Sequence, residues 1–577
     1  MASAMTIRTT SNKALALRYV WSISINANII SSQLESPHMT LTRRRAIKQG
    51  AALLLTRRLF AQKQSMKMPM PADNQVRTPH AKTIDALALA SFVDPLPLPQ
   101  LLKQQGTRSS RQHAAQDAPY YRITVREVSH SFHRDLPPAR QWSYGEGPAP
   151  VLIEAQKDTG ILVDYANSLP PQHILPLGGP MHGMEYLMHA PPTRIVTHLH
   201  GARVPTISDG YPEDWYGPGE SKLCYYPNHQ DATALWMHDH AMGVSRLNVF
   251  AGLAGFYLLR DEEERALNLP SGKYELPLML YDRSFTPDGQ LYYPNPPDEG
   301  AWAQEYLGDA MVVNGKVRPF HAVEPRRYRL RIVNTANSRF FALSFSNGQS
   351  FHVIGSDQGL LDAPVEMHRL VLAPAERADI LVDFSASRGH HVNLVSDSFD
   401  LMQFCVSKDA VTDTSSIPTR LRAITRIPES ESIRTREMTL NEFDGDNGDP
   451  MVMLLNRKHW VEPVTEIVKL NTTEIWSLIN LTDDIHPIHL HMVRFQILDR
   501  QTISTDDYLA DSKLIPTGPA LPPVAHEQGW KDVVQCPPDT VTRIIVPFRG
   551  YAGRYLWHCH ILEHEANDMM RPYTITA

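Results

Sequence analysis

Apolar and polar positions alternate with a two-residue period in several short stretches of the chain. Residues 121–125, 256–259 and 328–333 are three examples, each bounded by turn-forming residues. This period is typical of a half-buried β-strand, in which successive side chains face opposite sides of a sheet. The 45 prolines and 30 glycines separate many such stretches, which are rich in β-branched and aromatic residues. The pattern predicts an all-β fold with long ordered loops rather than a helical bundle.

Two segments of the chain look like copies of one another. Residues 312–316 lead to residues 331–334, and residues 454–458 lead in the same way to residues 477–480. An internal repeat of a β-sandwich domain is the simplest explanation. We expect a third, more diverged copy within residues 85–260.

The length of 577 residues is too great for one hydrophobic core, and it favours about three domains. Connecting segments rich in Ser, Thr, Pro and charge fall near residues 261–269 and 409–437. Residues 1–84 are predicted to be a leader with its linker. The three sandwich domains are predicted at residues 85–260, 261–410 and 411–577.

The N-terminal region contains Arg43, Arg44 and Arg45, followed by Lys48 and a short apolar stretch at residues 50–55. This arrangement resembles a twin-arginine export signal and predicts a periplasmic or extracellular protein. Two other interpretations stay open. The segment could be a basic leader that carries no targeting signal, and residues 1–38 could be an extension upstream of a start at Met39.

Charge and composition exclude several classes of function. The formal net charge of -6 provides no basic surface for nucleic acid. No apolar run reaches the roughly 18 to 20 residues that a membrane-spanning helix needs. The four cysteines are scattered singly, which indicates neither a disulfide framework nor a paired zinc site. We expect Cys224, Cys405 and Cys536 to be buried or inert thiols.

Histidines are concentrated in four short clusters, two in each half of the chain. The clusters contain His198 and His200; His238 and His240; His486, His489 and His491; and His558, Cys559, His560, His564 and Met569. On a helix, residues two apart diverge by about 200°, so a His-x-His pair could not share a site there. On a strand the two imidazoles share one face, and the apolar residues between them face the core.

Cys559 lies between two of these histidines. If this segment is a strand, its thiol faces one side of the sheet while His558 and His560 face the other. One strand could then contact two metal centres. A thiolate, two imidazoles and a distant thioether form a blue-copper site, and Cys559, His486, His564 and Met569 supply that set. Zinc is the competing assignment, but it would leave the remaining eight histidines unexplained.

The four clusters, in this order, resemble the copper-binding signatures of the multicopper oxidases. Further stretches at residues 208–212, 238–242, 373–377 and 529–532 are most similar to the spore-coat laccase and bilirubin oxidase branch. The resemblance covers about residues 85–577. It implies three consecutive cupredoxin-like Greek-key β-sandwich domains, with copper bound between the first and the third.

The same resemblance implies a role for each ligand of four copper ions, one of type 1, one of type 2 and two of type 3. His486, Cys559 and His564 resemble the type 1 ligands, and Met569 resembles their axial ligand, although methionine more often fills a core. His198 and His489 resemble the type 2 ligands. The type 3 ligands would be His200, His238, His240, His491, His558 and His560.

The resemblance implies the activity of a laccase-like oxidase. Such an enzyme takes single electrons from a small reducing substrate and reduces dioxygen to water. Phenols, aromatic amines and bilirubin-like compounds are the expected substrates, and electrons are expected to enter at an exposed edge of His564 or His486 and pass through Cys559. Asp209 and Glu565 are candidates for proton delivery, unless they are ordinary structural carboxylates. We expect a monomer.

Two other functions remain open. The chain could be a cuprous or other metal oxidase of copper homeostasis, or a copper-free, non-enzymatic protein of the same fold. The methionines at positions 181, 184 and 188, with His182 and His189, could form a surface site for Cu(I), and so could Met66, Met68 and Met70. An ordinary loop containing methionines is the alternative for both segments.

Overall fold

The computed structural model describes residues 82–177, 187, 189–294, 304–444 and 450–577. The predicted twin-arginine segment, Met66, Met68 and Met70, and most of the methionine-containing segment at residues 181–188 lie outside these ranges. Among the described residues, no helix is both long and apolar enough to cross a membrane.

The first third of the described chain forms two β-sheets. One has the strand order β1-β5-β10-β9-β7, and the other has the order β2-β3-β6-β8 with β4 added to β3. The strands are β1 Gln100–Leu101, β2 Thr107–Ser110, β3 Ala115–His130, β4 Ala139–Ser143, β5 Val151–Gln156, β6 Ile161–Asn167, β7 Thr197–His200, β8 Ser221–Tyr226, β9 Thr233–Asp239 and β10 Ala254–Arg260.

The middle third forms a seven-stranded and a five-stranded sheet. Their orders are β13-β12-β11-β15-β20-β17-β18 and β14-β22-β21-β16-β19. The strands are β11 Glu275–Arg283, β12 Ala310–Val313, β13 Lys316–Val317, β14 Phe320–Val323, β15 Arg327–Asn334, β16 Phe341–Phe345, β17 Phe351–Ser356, β18 Gly359–Met367, β19 Leu370–Leu372, β20 Arg377–Asp383, β21 His391–Ser396 and β22 Phe399–Val406.

The last third again forms two sheets, with the orders β24-β23-β26-β30-β28 and β25-β32-β31-β27-β29. Trp476 and Trp557, one from each sheet, meet in their shared core with ring centroids 5.6 Å apart. The strands are β23 Arg434–Asp444, β24 Pro450–Leu455, β25 Glu466–Lys469, β26 Thr472–Asn480, β27 His486–Leu490, β28 Gln496–Thr502, β29 Val533–Cys536, β30 Thr540–Phe548, β31 Gly553–Cys559 and β32 Met570–Thr576.

Helices are few and short in the described part of the chain. They are α1 Ser245–Ala251, α2 Glu262–Ala266, α3 Thr505–Asp511 and α4 Leu562–Glu565, with 3-10 turns at Ala86–Ala88, Thr206–Ser208, Gly272–Tyr274, Ser385–Ser387, Glu429–Glu431 and Ala525–Glu527. The fold is therefore all-β, as the sequence predicts. The residue limits of the three domains stay a prediction, although no sheet contains strands from two of the predicted domains.

The same local contacts recur in the two segments that look like copies. Asn314 and Asn456 both have a positive φ, and their side-chain oxygens accept from Met279 N and Thr439 N respectively, each at 2.8 Å. The parallel pairs β11·β15 and β23·β26 also correspond, and β3·β6 is a third parallel pair. These common features favour the internal repeat.

Strand β15 differs from the expectation in one respect. The alternation at residues 328–333 predicts a half-buried strand, but almost the whole of β15 is buried. Arg329 and Arg331 are only 3% exposed, because both guanidinium groups pair with the buried carboxylates of Glu275 and Asp379. Polar residues in an alternating pattern therefore mark a strand correctly here, but they do not mark a solvent-facing side.

Candidate metal centres

Four strands bring the histidine clusters together in two antiparallel pairs. In the β7·β9 pair, His198 lies opposite His238. In the β27·β31 pair, His489 lies opposite His558. The strand geometry expected from the His-x-His spacing is thus present, and it makes each pair of imidazoles share one face of a sheet. Leu199, Ile488 and Leu490, which lie between histidines, are buried in the hydrophobic cores, as predicted, and so is Met237 before His238. The residue between His238 and His240 is the buried Asp239.

The first candidate centre consists of His486, Cys559 and His564, all fully buried. Cys559 Sγ lies 3.5 Å from His486 Nδ1 and 3.7 Å from His564 Nδ1, and the two nitrogens are 3.3 Å apart. For a trigonal ion bonded at about 2.0 Å to nitrogen and about 2.3 Å to sulfur, these separations would be about 3.5 to 3.7 Å. The three donor atoms therefore fit one metal ion.

The chemistry of the donor atoms also indicates a metal ion at this centre. Burial raises the pKa of the Cys559 thiol well above its usual value, so a thiolate would need a compensating cation. Burial lowers the pKa of His564 well below its usual value, which keeps its imidazole neutral and able to bind a metal. A soft thiolate with two neutral imidazoles favours copper.

Met569 lies beside this centre. Its main-chain N donates to His564 O, and its main-chain O accepts from Cys559 N, each at 3.0 Å. The side chain is fully buried in the same hydrophobic core as Cys559. Its position is compatible with an axial thioether, which stays a prediction.

The other eight histidines form a second, fully buried group between the first and last thirds of the chain. The donor atoms form three sets, each small enough for one metal ion: His200, His238 and His560; His240, His491 and His558; and His198, His200 and His489. The structure thus brings together all ten histidines predicted from the sequence, and it separates them into the two predicted groups.

Unpartnered nitrogens show that the second group fits metal ions. Nε2 of His198, His238 and His489 and Nδ1 of His200 are buried without a hydrogen-bond partner, and so are both nitrogens of His560. Leaving so many buried polar atoms unsatisfied would be costly without ligands. Burial lowers the pKa of His198 to about 3 and that of His558 to about 4, so both are neutral at ordinary pH.

In the set of His240, His491 and His558, the imidazoles converge on one point. Nε2 of His558 lies 3.3 Å from Nε2 of His240 and 3.3 Å from Nε2 of His491. Three neutral nitrogens at this separation can surround one ion at a normal bond length of about 2.0 Å. The opposite nitrogen of His558, Nδ1, is 2.9 Å from Cys559 O, which fixes the orientation of the ring.

The two candidate proton carriers lie directly behind the imidazoles. Asp209 Oδ2 is 2.9 Å from His491 Nδ1, and Asp209 O is 2.5 Å from His198 Nδ1. Glu565 Oε1 accepts from Ser245 Oγ at 2.8 Å and lies 3.6 Å from His240 Nδ1. Burial raises the pKa of Asp209 well above its usual value and that of Glu565 to about 8. Both carboxyl groups therefore hold a proton more readily than an exposed one.

The first candidate centre is less accessible than the sequence suggests. His486 and His564 are fully buried, so the expected exposed edge is absent from the described structure. His486 Nε2 instead lies 2.7 Å from Thr482 Oγ1 and 3.5 Å from Glu442 Oε1, whose side chain is 12% exposed. Thr482 is buried, so among these three side chains only Glu442 is partly exposed.

Several contacts of the site are absent from the prediction. Asp532 is hydrogen-bonded to His200 and His489, and Arg377 pairs with Asp532. Both residues lie in stretches that carry the family resemblance, which was a usable signal, but spacing gave no reason to connect them to histidines far away in sequence. All four cysteines are free in the structure, which agrees with the absence of a disulfide framework.

Comparison with known proteins identifies the family. Residues 289–414 and 431–577 match family models described as multicopper oxidase. The laccase of Bacillus subtilis is 42% identical over an alignment that covers 85% of this chain and 99% of the relative. The crystal structure of a laccase from Pediococcus acidilactici matches with a TM-score of 0.69 at 27% identity, covering 86% of this chain and 99% of that one.

A second solved structure, the McoA multicopper oxidase of Aquifex aeolicus, matches with a TM-score of 0.68 at 26% identity over 84% of this chain and 99% of that one. The chain belongs to the multicopper oxidase family, with cupredoxin-like domains and a copper-dependent oxidoreductase activity that uses dioxygen. Within that family it is a laccase-like enzyme for small-molecule substrates, with one type 1, one type 2 and two type 3 copper ions.

Proposed function

We propose that the two buried groups of donors hold the four copper ions in the arrangement that the sequence suggests. His486, Cys559 and His564, together with Met569, would hold the type 1 ion, and His198 and His489 would hold the type 2 ion. The type 3 ions are bound by His200, His238 and His560 and by His240, His491 and His558. The observation that carries this proposal is the division of the donors into one set containing sulfur and one containing only imidazoles.

The copper ions supply the redox chemistry, in which single electrons from the substrate reduce dioxygen to water. Cys559 joins the two groups covalently, since its neighbours His558 and His560 belong to the second one. The fully buried histidines exclude bulk water from both groups. Excluding bulk water limits side reactions of partly reduced oxygen species.

Asp209 and Glu565 each hold one of the protons that the reduction of dioxygen consumes. Each has one buried carboxyl oxygen without a hydrogen-bond partner, Oδ1 of Asp209 and Oε2 of Glu565. The other oxygen of each faces an imidazole of the second group. A carboxyl group with a raised pKa, placed in this way, can orient the ring and also keep a proton close to the reacting oxygen.

The proposed substrates are electron-rich phenols, aromatic amines and bilirubin-like compounds. A coordinating Met569 would hold the type 1 potential lower than a non-coordinating side chain, and this favours substrates that are easily oxidised. Electrons enter through His486 or His564. The polar cover of Thr482 and Glu442 over His486 suits hydroxyl and amino groups, which can donate hydrogen bonds to it.

Oxygen uptake by the copper-loaded enzyme tests this function. We expect uptake with a phenol, an aromatic amine or bilirubin, with water as product and no accumulation of peroxide. The control is the same enzyme after copper removal, which should be inactive and should recover on reloading. Uptake with Cu(I) alone among the reductants would support the alternative of a cuprous oxidase. No uptake by the fully loaded protein would contradict any oxidase function.

The enzyme is further proposed to act outside the cytoplasm as a monomer. The support for export is the twin-arginine-like segment with Arg43, Arg44, Arg45 and Lys48. Replacing Arg44 and Arg45 by Lys should leave the enzyme in the cytosol, whereas an uncleaved wild-type chain found only there would contradict the proposal. Light scattering of the purified enzyme tests the oligomeric state.

A further inference from the structure

One buried residue, Asp532, contacts the backs of two imidazoles in the second group, one through its carboxylate and one through its main-chain oxygen. Asp532 Oδ1 lies 3.1 Å from His200 Nε2, and Asp532 O lies 2.8 Å from His489 Nδ1. The opposite nitrogen of each ring, His200 Nδ1 or His489 Nε2, is one of the unpartnered nitrogens. A single residue therefore turns both rings so that their free nitrogens face the other histidines.

Arg377 fixes the carboxylate of Asp532 in a two-pronged ion pair. Arg377 Nη1 lies 2.6 Å from Asp532 Oδ1, and Arg377 Nη2 lies 2.5 Å from Oδ2. Gln358 Nε2 also donates to Asp532 Oδ2 at 2.5 Å. Two parallel bonds from a planar guanidinium fix the rotation of a carboxylate as well as its position. Arg377 and Asp532 are 1% and 0% exposed, so water does not compete for these bonds.

A second layer of contacts holds the segment that contains Asp532. Asp357 Oδ1 accepts from the main-chain N of Arg377 at 3.0 Å, and Asp357 Oδ2 pairs with Lys531 at 2.9 Å. Lys531 also pairs with Glu376 at 2.9 Å. All of these side chains are buried. The residues on one side of this network, Asp357, Glu376 and Arg377, belong to the middle third of the chain, which supplies none of the proposed copper ligands.

We propose that Arg377 and Asp532 are positioning residues for the type 2 copper ion and for the adjacent type 3 ligand. The middle third of the chain then controls copper binding from outside the ligand set. The ion pair orients His200 through the carboxylate of Asp532, and by fixing Asp532 it also orients His489 through the main-chain oxygen of that residue. This inference rests on the proposed function, in which those two histidines bind copper. Changes to groups that orient metal ligands commonly weaken metal binding by about 10- to 100-fold.

The test compares Arg377→Lys and Asp532→Asn with the wild type, each as the full-length, copper-loaded enzyme. Arg377→Lys keeps the positive charge but loses the two-pronged geometry. The type 2 signal in electron paramagnetic resonance is followed during dialysis against a copper chelator, together with the blue absorption of the type 1 site. We expect type 2 copper to be retained about 10- to 100-fold more weakly, with the blue absorption unchanged.

Arg329→Lys is a matched control. Arg329 makes the same kind of pair with Asp379, with Nε 2.8 Å from Oδ1 and Nη2 2.5 Å from Oδ2. Its ion-pair partners, Glu264, Glu275 and Asp379, make no hydrogen bond or ion pair to a proposed ligand in the described structure. We expect Arg329→Lys to retain type 2 copper as the wild type does. Gln358→Leu removes one hydrogen-bond donor to Asp532 without leaving a new unpaired charge. It should weaken the retention of type 2 copper by a smaller factor, and it keeps the test possible if the other two variants fail to fold.

The outcomes separate this inference from the proposed function. Wild-type retention of type 2 copper in Arg377→Lys, Asp532→Asn and Gln358→Leu would overturn the inference. An equal loss in Arg329→Lys would also overturn it, because the effect would then be general destabilisation. A wild-type enzyme that binds no copper and shows no blue absorption would instead overturn the proposed function.

Discussion

The hydrogen bond between Asp209 and His491 allows the most detailed prediction. In the wild type, His491 Nδ1 lies 2.9 Å from Asp209 Oδ2. In Asp209→Asn the side chain keeps its shape but cannot carry the proton, and its amide oxygen accepts less strongly from His491 Nδ1. A hydrogen bond to a carboxyl group that holds its proton contributes about 0.5 to 1.5 kcal/mol, which corresponds to about 2- to 13-fold in rate if it is lost in the reaction with dioxygen. The lost proton adds to this effect, and changes to groups behind metal ligands commonly cost about 10- to 100-fold in activity.

The assay isolates the oxygen step. The enzyme is fully reduced without oxygen and then mixed with dioxygen, and the return of the blue absorption is followed. We expect Asp209→Asn to reoxidise about 10- to 100-fold more slowly. Its reduction by substrate should proceed at the wild-type rate, because the histidines that Asp209 contacts, His198 and His491, belong to the second group.

Asp158→Asn provides the control. Asp158 Oδ1 pairs with His229 Nδ1 at 2.8 Å, but both side chains are more than half exposed. The same Asp-to-Asn change at an exposed Asp–His pair should leave reoxidation unchanged. Reoxidation of Asp209→Asn at the wild-type rate would refute the reasoning, and so would an equal loss in both variants.

Three other predictions follow from the described contacts. Cys559→Ser should abolish the blue absorption and the oxidase activity while the second group keeps its copper, as measured by absorption and metal analysis; a persisting blue colour would contradict the assignment of the thiolate. Leu490→Ala should lower the free energy of unfolding of the copper-free protein by about 2 to 5 kcal/mol, because the side chain is fully buried in the core, and denaturant titration would show a negligible change if that packing were unimportant. His173 is buried, and burial lowers its pKa to about 4, so its contribution to stability is complete above its unfolded pKa near 6.5 and is lost as the pH falls towards 4. Between pH 7 and pH 5 the free energy of unfolding of the copper-free wild type should therefore fall by about 2 kcal/mol more than that of His173→Gln. Equal falls in the two proteins would exclude this contribution.

The sequence was sufficient for much of the site because its ligands are local on strands. His198 and His200 share a face on β7, and Cys559 alternates with His558 and His560 at the end of β31, as the two-residue period requires. These relationships depend only on backbone geometry. They could be predicted before any contact between distant parts of the chain was known.

Contacts between distant segments could not be predicted in the same way. Asp532 and His200 are 332 positions apart, and Arg377 and Asp532 are 155 apart, so no local pattern connects them. The sequence pattern also predicts burial wrongly where charges are paired. The alternation in β15 predicts that Arg329 faces solvent, but its side chain is buried in a pair with Asp379. The accessibility of His486 likewise depends on Glu442 and Thr482, whose positions follow from the tertiary fold.

The most direct test of the central claim is anomalous diffraction at the copper absorption edge from crystals of the copper-loaded enzyme. We expect one copper peak among Cys559, His486 and His564, and three among the eight histidines of the second group. The absence of a peak beside Cys559, or copper bound only at other positions, would contradict the account.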